Sequence, residues 1–127
     1  MRDLPPYAVT LGIEPFSADG EHFYRLPFGD VVLGRPGYLH GGAIAGLLEI
    51  AAIGAVLREL DDNGTVKPIN LSVNFMRGGT DQDTIACAVV TRLGSRVANV
   101  EAHAWQEDRD RPIASAQLNL LVTRQGS

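Results

Sequence analysis

Residues 41–57 form the most apolar stretch of the sequence, and Glu49 is the only charged residue within it. Hydrophobic side chains recur there at the three- and four-residue spacing of a helix, and the opposite face is apolar as well. One face holds Ile44, Leu47, Leu48, Ala51 and Ala55. The opposite face holds Ala45, Ile50, Ile53 and Val56. A helix that is apolar nearly all round is either buried on most sides or spans a membrane. The rest of the chain must be arranged around this helix.

The length of the stretch favours a buried helix over a membrane span. A spanning helix needs about 20 apolar residues, whereas this run is shorter, carries a central glutamate and contains four glycines. The remaining sequence reads as half-buried strands, which need a helix to cover their dry face. The single Cys87 cannot form an intrachain disulfide, so we expect a soluble protein of a reducing, cytoplasmic compartment.

Composition excludes several classes of partner. The formal net charge is −4 and the charges are interspersed, so neither a nucleic-acid footprint nor a polybasic membrane patch is expected. Residues 1–6 lack the charged-then-apolar order of a signal peptide. No His-Glu-x-x-His motif or Cys/His cluster appears, so no metal site is expected. A chain of 127 residues is most simply one domain, residues 1–127.

Alternating hydrophobic and polar residues predict a mainly antiparallel sheet around the helix. Residues 5–11 form either a short helix or an extended arm, and the long helix runs from about Gly41 to Leu60. The strands are predicted at 13–18, 22–28, 69–75, 84–93, 96–106 and 113–123. The expected dry faces are Ile69, Leu71, Val73 and Phe75; Ala98, Val100, Ala102 and Ala104; and Ala114, Ala116, Leu118, Leu120 and Val122. The fold class is therefore α+β, and a second copy of the chain would economically cover the exposed sheet edges.

Three motifs resemble one enzyme family. His40-Gly41-Gly42 is followed by an acid nine residues after the histidine, Glu49. The segment 71–77, Leu-Ser-Val-Asn-Phe-Met-Arg, and the turn 94–96, Gly-Ser-Arg, add to the match. Together they resemble the hotdog-fold acyl-CoA thioesterases of the PaaI-like (4-hydroxybenzoyl-CoA thioesterase) superfamily over roughly residues 10–123.

This resemblance implies a hotdog fold, an antiparallel sheet wrapped around one long central helix. It implies a homodimer with a continuous sheet, which in this family often pairs again into a homotetramer. It also implies hydrolysis of an acyl-CoA thioester at the subunit interface. The family uses no metal and no cofactor beyond the coenzyme A of the substrate itself.

Glu49 is the candidate general base or nucleophile. Thioester hydrolysis needs such a group, and apolar surroundings make a carboxylate costly to keep ionised, which favours proton exchange near neutral pH. Whether Glu49 activates water or attacks the carbonyl itself is left open. The structural alternatives are an ion pair with Arg58 or Arg96, or a glutamate that reaches solvent through a gap.

The glycines at the helix start are candidate donors to the thioester oxygen. Unpaired N–H groups and the positive end of the helix dipole suit a developing oxyanion, and glycine permits close approach. In the family pattern, Gly41 supplies the N–H that polarises the carbonyl, with Gly42 beside it. Alternatively, the two glycines only permit the turn. His40 either donates to substrate or fixes the loop by bonding to backbone.

Further residues are candidates for substrate binding. Asn74 lies on the polar face of its predicted strand, and Phe75 and Met76 are candidates to line the acyl pocket. Arg77, Arg92 and Arg96 lie at strand ends where the phosphates of coenzyme A could dock. The alternatives are an exposed strand asparagine, ordinary core packing and solvated surface arginines. His22 and His103 are expected to be surface or packing residues.

Two positions depart from the family pattern. Many members carry an asparagine or glutamine six residues before the histidine, where this chain has Gly34. Many also carry a serine or threonine on the strand after the helix, where the nearest match is Pro68, with Thr65 and Asn70 close by. The residues that replace these helper groups are therefore unassigned.

Three functions compete on this fold. An acyl-CoA thioesterase is favoured, and a non-catalytic acyl-CoA binder is the main alternative because the helper groups are missing. An acyl-thioester hydratase or dehydratase is disfavoured, since no aspartate stands five residues before a histidine and the spacing from His40 to Glu49 differs. An α/β-hydrolase is excluded by chain length and by the lack of a Gly-x-Ser-x-Gly motif.

Overall fold

The computed structural model describes residues 4–61 and 63–124. Within them, two α-helices, one short 3-10 helix (Asp30–Val32) and six strands follow one another along the chain. The α-helices are α1 (Pro6–Leu11) and α2 (Gly41–Glu59), and the strands are β1 (Glu14–Ala18), β2 (Glu21–Leu26), β3 (Gly64–Phe75), β4 (Thr84–Leu93), β5 (Val97–Trp105) and β6 (Ala114–Arg124). The segment at residues 5–11 is thus a helix, and a left-handed glycine, Gly12, ends it.

The six strands form one antiparallel sheet with the order β1-β2-β4-β5-β6-β3. Helix α2 packs across one face of this sheet and contacts every strand from β2 to β6. This is the hotdog arrangement that the sequence predicts. Strand β3 lies at one edge of the sheet, although it follows α2 directly in the chain.

The core lies between α2 and the inner face of the sheet. The predicted dry faces of β5 and β6 are confirmed, since all nine of their residues are buried. Most of the β5 side chains there, and two on β6, are alanines, which lets the helix lie close to the sheet. Helix α2 is apolar and long enough to cross a membrane, but 72% of its most apolar window is buried inside the protein. It is therefore the core helix of this fold.

The predicted dry face of β3 is wrong for the single chain. Ile69 is 53% exposed, Leu71 36% and Phe75 54%. The reason is topological, because β3 is the edge strand and extends beyond the cover that α2 provides. The strand also begins at Gly64, earlier than predicted, and its register with β6 shifts between Pro68 and Asn70. A long edge strand with exposed hydrophobic side chains is a surface suited to pairing with another chain.

A second cluster lies on the outer face of the sheet and is centred on Arg109. Its guanidinium donates to both carboxylate oxygens of Glu21, at 3.1 and 2.9 Å, and lies 5.1 Å from the centroid of the Trp105 ring. Beneath it are the buried Cys87 thiol, 3.4 Å from Arg109 Nη2, and His103, whose Nε2 is 3.6 Å from the sulfur. Arg109 thus ties the loop between β5 and β6 to the outer face.

Burial in this cluster lowers the pKa of His103, and the nearby Arg109 charge lowers it further. The unfolded chain therefore binds a proton at this residue more tightly than the folded protein does. The free energy of unfolding should be highest above the ordinary histidine pKa of about 6.5 and should fall as the pH drops below it.

We expect the melting temperature to fall by a few degrees between pH 7.5 and pH 5.5, and His103→Gln to reduce that fall. The measurement is thermal unfolding by circular dichroism across this range. His22→Gln is the matched control, because His22 is exposed and, among residues 4–61 and 63–124, its side chain bonds only to Ser17, at 3.2 Å. An equal pH dependence in His103→Gln and the parent protein would contradict the assignment.

Candidate active site

A narrow strip of α2 remains uncovered by the rest of the chain. Between Gly41 and Leu57, every residue is buried except Gly41, Gly42, Ala45 and Glu49. These residues follow one another along one side of the helix, at spacings of one, three and four. The strip therefore leads from the N-terminal amides of the helix to its one carboxylate.

The amide groups at the helix start differ in their availability. His40 is the N-cap residue, and its Nδ1 accepts a hydrogen bond from the Gly42 N–H at 2.9 Å. Among the residues that the structure describes, nothing accepts from the Gly41 N–H. His40 thus fixes the turn in this structure, and Gly41 presents the free amide. Whether His40 also contacts a substrate stays a prediction, as does any catalytic use of Gly42.

The loop before the helix is held on two sides. The His40 N–H donates to the Val32 carbonyl at 2.8 Å, and the Leu39 N–H donates to the Gly79 carbonyl at 2.9 Å. Because these bonds connect the loop to residues before and after α2, the tip of the helix has a fixed position relative to the end of β3.

Glu49 is half-buried and reaches solvent through the open strip, which agrees with one of its structural alternatives; the other, an ion pair with Arg58 or Arg96, is not formed among the described residues. Within residues 4–61 and 63–124, no ion pair involves Glu49. Arg58 instead donates to the Tyr24 hydroxyl at 2.7 Å. The carboxylate therefore lies in the open strip, where no side chain of the same chain neutralises it.

Glu49 and Gly41 of one chain are too far apart to act on the same carbonyl group. Eight residues separate them, and a helix rises 1.5 Å per residue, so they lie about 12 Å apart along the axis. A catalytic base and an oxyanion donor both need to reach the reacting group within about 3 Å. One chain alone therefore presents the two halves of such a site separately.

Phe75 is the predicted substrate-binding residue that the fold brings to the helix tip. A Cβ atom built on Gly41 would lie 3.5 Å from the Phe75 ring. Asn74 lies on the other face of β3, because it pairs with Ser115 while Phe75 pairs with the buried Ala114. Asn74 is thus directed away from α2, and the structure does not bring it together with Glu49.

Two of the three predicted phosphate-binding arginines, Arg77 and Arg96, lie at opposite ends of the sheet. Arg77 follows β3 and lines a cavity of about 210 Å³ together with Arg111. Arg96 precedes β5, whose nine residues separate the two ends by roughly 30 Å. The structure therefore does not unite Arg77 and Arg96 within one chain.

The missing helper group at Gly34 has a structural reason. A Cβ atom there would lie 3.1 Å from His40 Cα and 3.2 Å from His40 N. The backbone of the loop is packed so closely that a larger residue would need the loop to shift. The other departure, Pro68, lies at the register shift of the edge strand.

One aromatic residue beside the strip was not singled out from the sequence. Tyr7 of α1 packs against Gly46, in the turn between Gly42 and Glu49. Gly46, a glycine within a helix, is a sequence signal of such a close approach, but it does not say which element approaches.

The described part of the chain has no group of three or more His, Cys, Asp or Glu residues that could hold a metal ion.

Known proteins resemble this chain in sequence and in structure. The family model of the thioesterase superfamily matches residues 36–113, well over half of the sequence and most of the candidate site. No curated protein matches the chain.

Three solved structures illustrate the likeness. A Bacillus halodurans protein solved with CoA is 25% identical, with a TM-score of 0.86 over 98% of this chain and 83% of its own. A Chromobacterium violaceum protein is 33% identical, with a TM-score of 0.76 over 93% of this chain and 83% of its own. A thioesterase from Haemophilus influenzae, 22% identical, has a TM-score of 0.82 over 95% of this chain and 85% of its own, which bears on the fold alone. The chain belongs to the thioesterase superfamily and has its hotdog fold.

Proposed function

We propose that this protein hydrolyses an acyl-CoA thioester to the free acid and coenzyme A. The observation that carries the proposal is the open strip of α2, which joins the free Gly41 amide to the unpaired Glu49 carboxylate. Membership of the thioesterase superfamily supports thioester hydrolysis. The CoA bound to the similar Bacillus halodurans protein supports coenzyme A as the thiol.

In the proposed reaction, the thioester oxygen accepts a hydrogen bond from the Gly41 N–H, where the positive end of the helix dipole stabilises the developing oxyanion. Glu49 either takes a proton from a water molecule that attacks the carbonyl carbon or attacks that carbon itself. The carbon–sulfur bond then breaks, and the sulfur of coenzyme A takes up a proton and leaves as the thiol. When Glu49 itself attacks, water then hydrolyses the resulting acyl anhydride, which releases the acid and restores the Glu49 carboxylate. No metal or additional cofactor takes part.

We propose that Glu49 of one chain acts with Gly41 of a second chain. The 12 Å rise along α2 separates them within a chain, so a partner has to supply the missing half. The edge strand β3 is the proposed contact, because it is twelve residues long and exposes Leu71 and Phe75. Antiparallel pairing of two β3 strands would give a homodimer with a continuous sheet, which could pair again into a tetramer.

The same antiparallel pairing would bring the Arg77 side of one chain to the Arg96 side of the other. It places the β3 end of one chain beside the β3 start of its partner, so Arg77 and the partner's Arg96 come to the same end of the joined sheet. Their side chains are proposed to bind the phosphates of coenzyme A, which lie far from the thioester. Phe75 at the helix tip is proposed to contact the part of the substrate near the carbonyl.

A non-catalytic acyl-CoA binder is the second candidate. The specific observation in its favour is the close packing of Gly34 against the His40 backbone, which leaves no space for the helper side chain of the family. Such a protein would hold the thioester in the same strip without hydrolysing it.

The test is an assay of free coenzyme A release with a chromogenic thiol reagent. Purified protein is incubated with short, medium and aromatic acyl-CoAs, and its mass in solution is measured by light scattering. Cys87 adds little signal, because burial raises the pKa of its thiol. We expect saturable release with at least one substrate and a dimer or tetramer. Saturable binding without release would favour the binder, and a monomer would contradict the interface site.

A further inference from the structure

Helix α1 is docked on α2 beside the open strip. A Cβ atom built on Gly46 would lie 2.8 Å from Tyr7 Cε2 and 3.0 Å from Leu11 Cδ1. Only a glycine at this position lets the two side chains rest directly on the backbone of α2. Ala8 and Leu11 are buried in this contact, so they hold α1 in place.

The position of Gly46 puts the Tyr7 ring next to Glu49. Residues three apart on a helix are neighbours, with about 5–6 Å between Cβ positions. Side chains on a helix also lean toward its N-terminus, so Glu49 covers the turn that contains Gly46. The Glu49 carboxylate and the Tyr7 ring therefore lie over the same part of α2.

The strip is bounded by aromatic rings on both sides. At about 100° per residue, Gly46 lies on one flank of the strip and Gly41 toward the other. Tyr7 rests on Gly46, and Phe75 rests on Gly41. We call this open space, with α2 as its floor and the Tyr7 ring on one flank, the channel.

Packing within the chain leaves part of the Tyr7 side chain exposed. The side chain is 47% exposed, although it touches the helix, and its hydroxyl makes no hydrogen bond within the described residues. Val9 on the same short helix is 79% exposed and is not among the residues that contact Gly46. Tyr7 therefore offers a rigid, amphipathic surface to whatever occupies the channel.

We propose that Tyr7 is a specificity-determining residue, whose ring forms one wall of the acyl-binding channel beside Glu49 and limits the length of the acyl group. This proposal rests on the proposed function, since it takes the strip to receive the acyl part of the acyl-CoA substrate. Removing the ring would open space for a longer chain, whose additional methylenes would be buried away from water.

The experiment compares Tyr7→Ala, Tyr7→Phe and Tyr7→Trp with the parent protein on straight-chain acyl-CoAs from acetyl to dodecanoyl. Tyr7→Ala should shift the ratio of kcat/KM for long over short substrates upward by about tenfold or more, the discrimination typical of one or two methylenes. Tyr7→Phe should keep the parent profile, and Tyr7→Trp should shift it toward shorter chains. Val9→Ala is the control on the same helix and should leave the profile unchanged.

The outcomes separate this proposal from the proposed function. An active protein whose chain-length profile is the same in Tyr7→Ala and Tyr7→Trp would overturn the role of Tyr7 and leave hydrolysis intact. If the parent protein hydrolyses no substrate, affinities for S-alkyl-CoA thioethers of the same lengths provide the test. Tyr7→Ala should then favour the longer thioethers, and an unchanged affinity profile, or no binding at all, would overturn the proposal.

Discussion

Replacing Glu49 by glutamine is expected to lower kcat for acyl-CoA hydrolysis by about 10²–10⁴-fold, the range that a general base contributes. Glutamine has nearly the same shape but cannot take a proton or attack a carbonyl carbon. KM should change little, because the coenzyme A portion is proposed to bind elsewhere. The measurement is the initial rate of coenzyme A release, with circular dichroism to show that the variant is folded.

A second variant removes the other half of the proposed site. Gly41→Pro deletes the backbone N–H, and proline is well tolerated at the first residue of a helix. The preceding His40 has φ −69° and ψ 132°, a conformation that a following proline permits. Gly41→Ala is the matched control, because it keeps the N–H and its Cβ would meet Phe75 at an ordinary 3.5 Å. We expect Gly41→Pro to lose far more activity than Gly41→Ala.

Mixing the two inactive variants shows whether the site is shared between chains. If chains reassort at random, half of the dimers are mixed, and each mixed dimer has one site with both an intact Glu49 and an intact Gly41. The mixture of Glu49→Gln and Gly41→Pro should therefore regain about a quarter of the parent activity, as the two-fold symmetry of a dimer requires. No recovery after confirmed subunit exchange would place both residues in one chain and contradict the 12 Å argument.

The sequence predicts those parts of the fold that depend on local patterns. Helix α2 and strands β4, β5 and β6 match the predicted segments within about two residues at each end. In these elements the hydrophobic residues that repeat in the sequence are also the residues that are buried. The alternation of hydrophobic and polar residues in β3 also predicts a strand correctly, but the predicted burial of its hydrophobic face is wrong. A period of two identifies a face of a strand, and only the order of strands in the sheet decides whether that face is covered.

The contacts that sequence patterns could not supply are distant in the chain. Trp105 alternates with the inward-facing alanines of β5 and so lies on the outer side of the sheet, yet it is buried, because Arg109 and Phe23 cover it there. Arg109 and Glu21 are 88 residues apart, and nothing local to either residue indicates the pair. For the same reason, Glu49 and Gly41 could be named from the motif, whereas Tyr7 beside Glu49 could not.

The largest effect on stability is expected at Gly54, in the middle of α2. A Cβ atom there would overlap the Tyr24 hydroxyl oxygen and lie 2.6 Å from Tyr24 Cζ. Tyr24 is 3% exposed, and its hydroxyl accepts the Arg58 hydrogen bond, so moving the ring would disturb buried packing and this bond. A glycine is required at this position because the sheet side chain enters the helix surface.

Gly54→Ala should therefore destabilise the protein by about 3 kcal/mol, since overpacking and the displacement of a buried aromatic ring outweigh the helix propensity of alanine, which favours it by about 1 kcal/mol. For a chain of this size, the melting temperature should fall by roughly 10 °C. Thermal and urea unfolding measure the change, and Gly41→Ala in the same helix is the control with an unobstructed Cβ.

The cause of this loss can be separated from a general intolerance of α2 to substitution. In a Tyr24→Leu background, the atoms that clash with the new Cβ are absent, so adding Gly54→Ala should be neutral or slightly stabilising. The two substitutions should thus be strongly non-additive, as expected for residues in direct contact. Equal losses from Gly54→Ala in both backgrounds would show that Tyr24 does not determine the requirement for glycine, and the close approach of β2 to α2 would then need another explanation.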